Sequence, residues 1–374
     1  MLKKNIIIIW LIGLLQTASI AERVNLTGLN KTDWIYLETE NFNIITDTGE
    51  ENARKIVREL ENFRFFLGIV LNYKQKPLSQ KVSVVAIKND STFNSTGIPD
   101  NFSGLFLKTY RYAIFAMCDD FRYSSKWNRI PGRCVLFHEL AHFFIENSSL
   151  KLDFPPWYDE GIAEYFSTYL EKDGKVFFGD MGGGKLQHFA KLKRNRGRGM
   201  IDTEFLFKTT LSDLNIYNKS IINKNNLERF YTLAFLVVKY MLQDADHKRQ
   251  MNQYLTLVRQ GASIDESFKH VFNMSFRDLD RKIRNYLFGK AFNRNTFSPE
   301  KIYIDFPEVK IKKHDITRRV AMELLYSNIA ILPEKLLGKG NREKLDIDME
   351  KLYPGLVNDI FEKRKDIMDR ARTN

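Results

Sequence analysis

Two cysteines in 374 residues allow at most one disulfide, so this fold cannot be a disulfide-stapled scaffold and must rest on its core. Long apolar runs are almost as scarce. The stretch 6–15 is shorter than the roughly 20 residues a membrane span needs, and no later stretch comes closer. Internal repeats and low-complexity segments are absent, which leaves out solenoid arrays and tracts too biased to pack. Histidine is rare too, with six in the chain, so any two of them at a meaningful spacing carry weight.

What is present points to a folded, exported protein. Hydrophobic residues make up 44%, with 29 Phe and 16 Tyr, enough for a sizeable core and for two or three domains. At the start, Lys3 and Lys4 precede the apolar run, and Ser19-Ile20-Ala21 offers small residues for cleavage. Residues 1–21 are therefore expected to be a secretory signal peptide, the alternative being a retained N-terminal anchor. No Cys follows the run, which argues against a lipid anchor. The expected location is periplasmic or secreted. The formal charge is +12, densest at Lys191-Leu-Lys-Arg-Asn-Arg-Gly-Arg198. We read that cluster as a solvated loop rather than a nucleic-acid surface, so no nucleic-acid partner is expected; association with an anionic cell envelope is compatible with the charge. Export makes a Cys118–Cys134 disulfide an option, against two buried thiols.

Hydrophobic periodicity gives an α+β chain. Residues 34–47 alternate as one or two strands, 49–71 carry apolar residues at helical spacing, and 81–88 read as a strand. Residues 90–103 read as a loop, and 104–118 as a strand pair. From 132 onward the pattern is helical: 134–147, then 157–170 after the Asp153-Phe-Pro-Pro break, then 226–243 and one or two helices in 264–288. Beyond 293 a strand at 302–309 and a helix at 315–325 are expected, with a charged end. The organisation is thus a signal (1–21), an N-terminal α/β sublobe (22–130), a helical sublobe (131–293) and a C-terminal extension of unassigned role (294–374).

The chemistry-bearing stretch is Phe137-His-Glu-Leu-Ala-His-Phe-Phe144. His138 and His142 are four apart, so on a helix they share a face, and two neutral imidazoles so placed can grip one zinc ion. Glu139 lies beside the first ligand, where it can take a proton from an activated water. The apolar neighbours Leu136, Phe137, Leu140, Ala141, Phe143 and Phe144 demand that these polar groups be satisfied. A third ligand is expected on the next helix, Pro156-Trp-Tyr-Asp-Glu-Gly-Ile-Ala-Glu-Tyr-Phe166. There Glu160 and Glu164 lie one turn apart; one can bind the metal while the other accepts a hydrogen bond from an imidazole.

His-Glu-Leu-Ala-His followed by Trp-Tyr-Asp-Glu-Gly-Ile-Ala-Glu-Tyr-Phe resembles the gluzincin zinc metallopeptidases, the class of the thermolysin and aminopeptidase N groups, and looks closest to bacterial peptidase-MA-like domains. The resemblance runs over 34–288. It implies a zincin-like domain, a small N-terminal mixed sheet with a helix followed by a mainly helical lobe. It further implies one zinc ion on His138, His142 and Glu160, with Glu139 as general base and Glu164 supporting a ligand imidazole. The seventeen residues between His142 and Glu160 are one fewer than in the aminopeptidase N group. The helix Phe230-Tyr-Thr-Leu-Ala-Phe resembles the one that supplies an oxyanion-stabilising Tyr, which makes Tyr231 the candidate, with Tyr240 and His188 behind it. The strand 112–118 carries no Glu to bind a free amino terminus, so internal cleavage of a peptide or protein substrate is favoured over amino-terminal trimming. The competing expectation is a non-catalytic cell-envelope binding protein on the same scaffold.

Overall fold

The computed structural model describes residues 24–75, 78, 81–97, 104–108, 112–117, 132–148, 154–180, 200–210, 212–214, 224–289, 302–329 and 341–373. The signal segment, Cys118, His188 and the basic cluster at 191–198 lie outside them.

The chain opens with a short helix α1 (Leu26–Lys31), then a hairpin of β1 (Ile35–Glu38) and β2 (Phe42–Thr46), paired antiparallel from Ile35–Thr46 to Glu38–Asn43. Helix α2 (Glu50–Val70) crosses over to β3 (Val82–Ile87), parallel to β2. Its apolar residues Ala53, Ile56, Val57, Leu60, Phe63 and Leu67 are all buried, as their helical spacing requires. Glu61 pins the β1–β2 turn to this helix by accepting from Thr39 Oγ1 (2.5 Å) and Asn41 Nδ2 (2.8 Å).

Residues 90–103, read from sequence as loop, contain a helix, α3 (Asp90–Ser95). The Asn89 side chain starts it by accepting from Thr92 N (2.9 Å), a cap that outweighs the polar composition. Strands β4 (Gly104–Lys108) and β5 (Tyr112–Met117) follow. β5 is parallel to β3 and internal, and β4 is antiparallel to β5 and outermost. At the far edge β9 (Lys312–His314) pairs antiparallel with β1. The result is a mixed six-stranded sheet in the order β4-β5-β3-β2-β1-β9.

Both faces of this sheet are covered, which explains why its central strands are almost uninterrupted runs of apolar residues. Successive side chains divide between two cores. Ile44, Val84 and Ala86 join the large core with α2 and the helices that follow β5. Ile45, Val85 and Ile87 join a second core with Leu29, Phe93 and the C-terminal helices α11 (Arg318–Ile329), α12 (Asn341–Leu352) and α13 (Leu356–Thr373). The segment beyond 294 therefore supplies both an edge strand and a covering layer. Its strand is Lys312–His314 together with a two-residue β8 (Ile302–Tyr303), not 302–309 as a unit.

The remainder is mainly helical. α4 (Gly132–Glu146) and α5 (Pro156–Phe166) carry the chemistry-bearing residues. α5 stops at Phe166, four residues short of the expectation, because Leu170 opens a hairpin of β6 (Leu170–Lys172) and β7 (Lys175–Phe177). Asp173 and Gly174 both have positive φ there (52° and 68°), the two-residue turn that Asp-Gly favours. Then come α6 (Thr203–Lys208), α7 (Lys224–Met241), α8 (Ala245–Arg259), α9 (Ile264–Phe272) and α10 (Phe276–Phe288). Asn273 in the left-handed region ends α9, and a reciprocal Ser275–Asp278 capping box starts α10, so 264–288 is two helices.

Candidate metal centre

α4 is buried from Arg133 to Ile145, packed between α2, α5 and the β4–β5 end of the sheet. A helix apolar on all sides sits inside a core. Yet His138, Glu139 and His142 are buried within it, at 2%, 1% and 8% exposure. Glu160 and Glu164 of α5 face them and are also buried. Five titratable groups in one dry space are strongly unfavourable unless their charges and lone pairs are met.

Their arrangement meets a specific need. His138 Nε2 and His142 Nε2 are 3.1 Å apart, and Glu160 Oε2 lies 3.2 Å from the first and 3.3 Å from the second. The other imidazole nitrogens are backed by carboxylates. His142 Nδ1 is 3.2 Å from Asp159 Oδ1, and His138 Nδ1 is 3.6 Å from Glu164 Oε1. A carboxylate behind each Nδ1 can hold the proton of a neutral imidazole there, and both Nε2 atoms would then face Glu160 Oε2 as acceptors. In that tautomer three lone-pair donors converge on one point where a cation can meet all three; in the metal-free protein the imidazoles donate to Glu160 instead. Their near-equilateral spacing of 3.1–3.3 Å fits a tetrahedral ion, since bonds of about 2.0 Å give an edge of about 3.3 Å. His138, His142 and Glu160 thus form a buried group that could hold a metal ion.

The electrostatics agree. Burial disfavours charge on His142, but Asp159 and Glu160 outweigh it and hold the imidazole well above its ordinary range. Burial alone would raise Glu160; the charge of His142 and hydrogen bonds from both imidazoles reverse this and bring it down to about 2. The carboxylates thus favour positive charge in this space against desolvation. Glu139 is different. Burial pushes its carboxyl up to about 8, with His142 opposing and Glu160 and Asp159 adding to the rise, and its Oε1 has no hydrogen-bond partner among the described residues.

The structure brings five sequence-singled residues, His138, Glu139, His142, Glu160 and Glu164, to one place. Between the two glutamates left open by the α5 spacing, Glu160 reaches both Nε2 atoms and Glu164 faces the back of His138. Tyr231, in the first half of α7, is half-buried. Burial raises its phenol well above the ordinary value, and the charges of Glu160, Glu139 and Asp159 add to this, so it stays protonated within their electrostatic reach. Tyr240 instead packs on His247 and Tyr286, among the later helices. Asp159 was not singled out from sequence. Its signal was its place immediately before Glu160, where the first turn of α5 turns it toward the second imidazole. Cys134 is buried on α4 one turn before His138; its pairing with Cys118 involves a residue outside those described.

α5 is held at this distance by Gly161. A Cβ there would come within 2.6 Å of Ala234 O and 2.6 Å of Val238 Cγ2 on α7, so its absence lets α5 and α7 touch backbone to backbone. On the other side Arg133, at the start of α4, is buried in an ion pair with Glu59 of α2 and donates to Tyr169 O (2.7 Å) beyond α5. The chain matches no protein-family model and no curated protein.

Proposed function

We propose that this protein is a zinc-dependent hydrolase that cleaves peptide bonds, a gluzincin-type metallopeptidase with a zincin-like catalytic domain. The observation that carries this reading is the triangle of His138 Nε2, His142 Nε2 and Glu160 Oε2, each imidazole backed by a carboxylate. Two His and one Glu are the donor set of catalytic rather than purely structural zinc, because they leave a coordination position open. Zinc so held supplies a Lewis acid that polarises a carbonyl and acidifies a coordinated water toward a pKa of about 7.

The chain's own residues do the rest. Glu139, next to the first ligand and with no hydrogen-bond partner on Oε1 among the described residues, accepts a proton and returns it to the leaving amine. Its carboxyl stands at about 8 in the protein alone, and a cation held by His138, His142 and Glu160 would lower it. Tyr231, kept protonated, donates toward the developing oxyanion. The strand β4 packs against α4 and is outermost among the described strands, so an extended peptide could pair along its outer edge as an added strand. This edge belongs to residues 104–108, not to 112–117, which lies inside the sheet.

Export through residues 1–21, and a place in the periplasm or outside the cell, complete the proposal; N-terminal sequencing of the mature protein tests it. The central experiment is cleavage of a peptide library by purified protein, with and without chelator, beside Glu139→Gln. Chelator-sensitive cleavage absent from Glu139→Gln supports the reading, and zinc-replete protein that cleaves nothing refutes it.

A further inference from the structure

On the reverse side of α5 lies a second cavity that the metal chemistry does not use. It has a volume of about 480 Å³, within the range of small-molecule sites of about 300–1,000 Å³. Tyr158, Ile162, Tyr165 and Phe166 form one wall; on α5 they point away from the face of Glu160 and Glu164. The opposite wall is one stripe of α8: Lys248, Met251, Asn252, Leu255, Thr256 and Arg259. Steps of three and four residues place all six on one helix face, and the eleven rises of about 1.5 Å from Lys248 to Arg259 make that face about 16 Å long. The cavity is therefore elongated, mainly apolar with Asn72, Asn252 and Thr256 interspersed, and marked by a cation at each end of the α8 wall.

The charge of the site is one-sided. Among the described residues no Asp or Glu lines it. Lys248 and Arg259 are exposed and make no ion pair with any described residue, although Lys or Arg pairs with Asp or Glu recur elsewhere on the surface. An apolar trough fits an acyl chain, and a cation at its rim fits an anionic head better than a neutral or positive one. A concave space of this size suits a single chain-like molecule rather than a protein face, which buries about 800 Å² on each partner.

We infer that this cavity binds a single-chain anionic amphiphile, a fatty acid or similar acyl anion, with its chain between α5 and α8 and its head at Lys248 or Arg259. This site does not depend on the metal reading, and the metal reading does not depend on it. The probe is dodecanoate below its micelle concentration, titrated calorimetrically into the full chain, with dodecyltrimethylammonium as the oppositely charged control. One saturable dodecanoate site per chain is expected, with the cationic control at least tenfold weaker. The exposed double variant Lys248→Glu with Arg259→Glu weakens dodecanoate at least tenfold and removes the preference for the anion. Leu255→Trp, which fills the trough, abolishes binding while leaving metal content unchanged. Non-saturating uptake, equal affinity for both probes, or full dodecanoate affinity in the charge-reversed variant overturns the assignment. So does capture by phosphatidylglycerol vesicles without a site for monomeric dodecanoate, which places the interaction at the bilayer surface rather than in the cavity.

Discussion

Asp159 and Glu164 stand behind the imidazoles of the candidate metal group, 3.2 and 3.6 Å from their Nδ1 atoms. Asp159→Asn removes the charge 3.2 Å from His142 Nδ1 while keeping the shape, and we expect zinc affinity to fall about 10- to 100-fold. Competition against a chelator of known affinity measures this; unchanged affinity would make the contact incidental. His142→Ala removes a ligand outright, so purified variant should contain no stoichiometric zinc by elemental analysis. Glu139→Gln should keep zinc and lose hydrolysis by about 10²- to 10⁴-fold. The same variant reports on pH. The carboxyl of Glu139 stands at about 8 folded against 4.5 unperturbed, so between those values the folded metal-free protein keeps a proton that the unfolded chain has released. Stability then falls as pH rises through that window, and Gln removes the fall. The Tm gain of Glu139→Gln over wild type in chelator should be larger at pH 8 than at pH 5; equal gains would clear Glu139 as its source. Most of these residues were legible in the sequence, because i, i+4 spacing on a helix needs no tertiary knowledge. Asp159 was not: which side of α5 faces His142 is set by the packing of α5 on α7.

At the scale of elements, the distance between α4 and α5 matters more than either helix alone. Gly161→Ala puts a methyl 2.6 Å from Ala234 O, where backbone has to move rather than a side chain turn. We expect about 1–3 kcal/mol of destabilisation by denaturant titration, with weaker zinc binding because Glu160 shifts along with α5. A variant as stable as wild type would mean the helices have slack. Elements with strong periodic faces, α2 above all, could be read from sequence within a residue or so. Those set by local chemistry could not: Asn89 turns a polar stretch into α3, and Asp173-Gly174 ends a helical run in a hairpin. α8 went unread because its exposed, highly charged sequence hides a narrow apolar stripe.

At the scale of the molecule, the covering layer built from α11, α12 and α13 shields Ile45, Val85 and Ile87 of the sheet. A chain ending at 301 leaves that face and the outer edge of β1 open, and we expect it to aggregate. Soluble truncated protein with a cooperative unfolding transition would show that the rest folds alone. The closing strand β9 also sets a schedule. Glu38 of β1 and His314 of β9 are hydrogen-bonded across 276 residues of sequence. At synthesis rates of about 5–20 residues per second, the β1 border waits roughly 14–55 s for its neighbour to leave the ribosome. During that interval the nascent chain carries an adhesive border, so a holding chaperone that caps it should raise the yield of native protein.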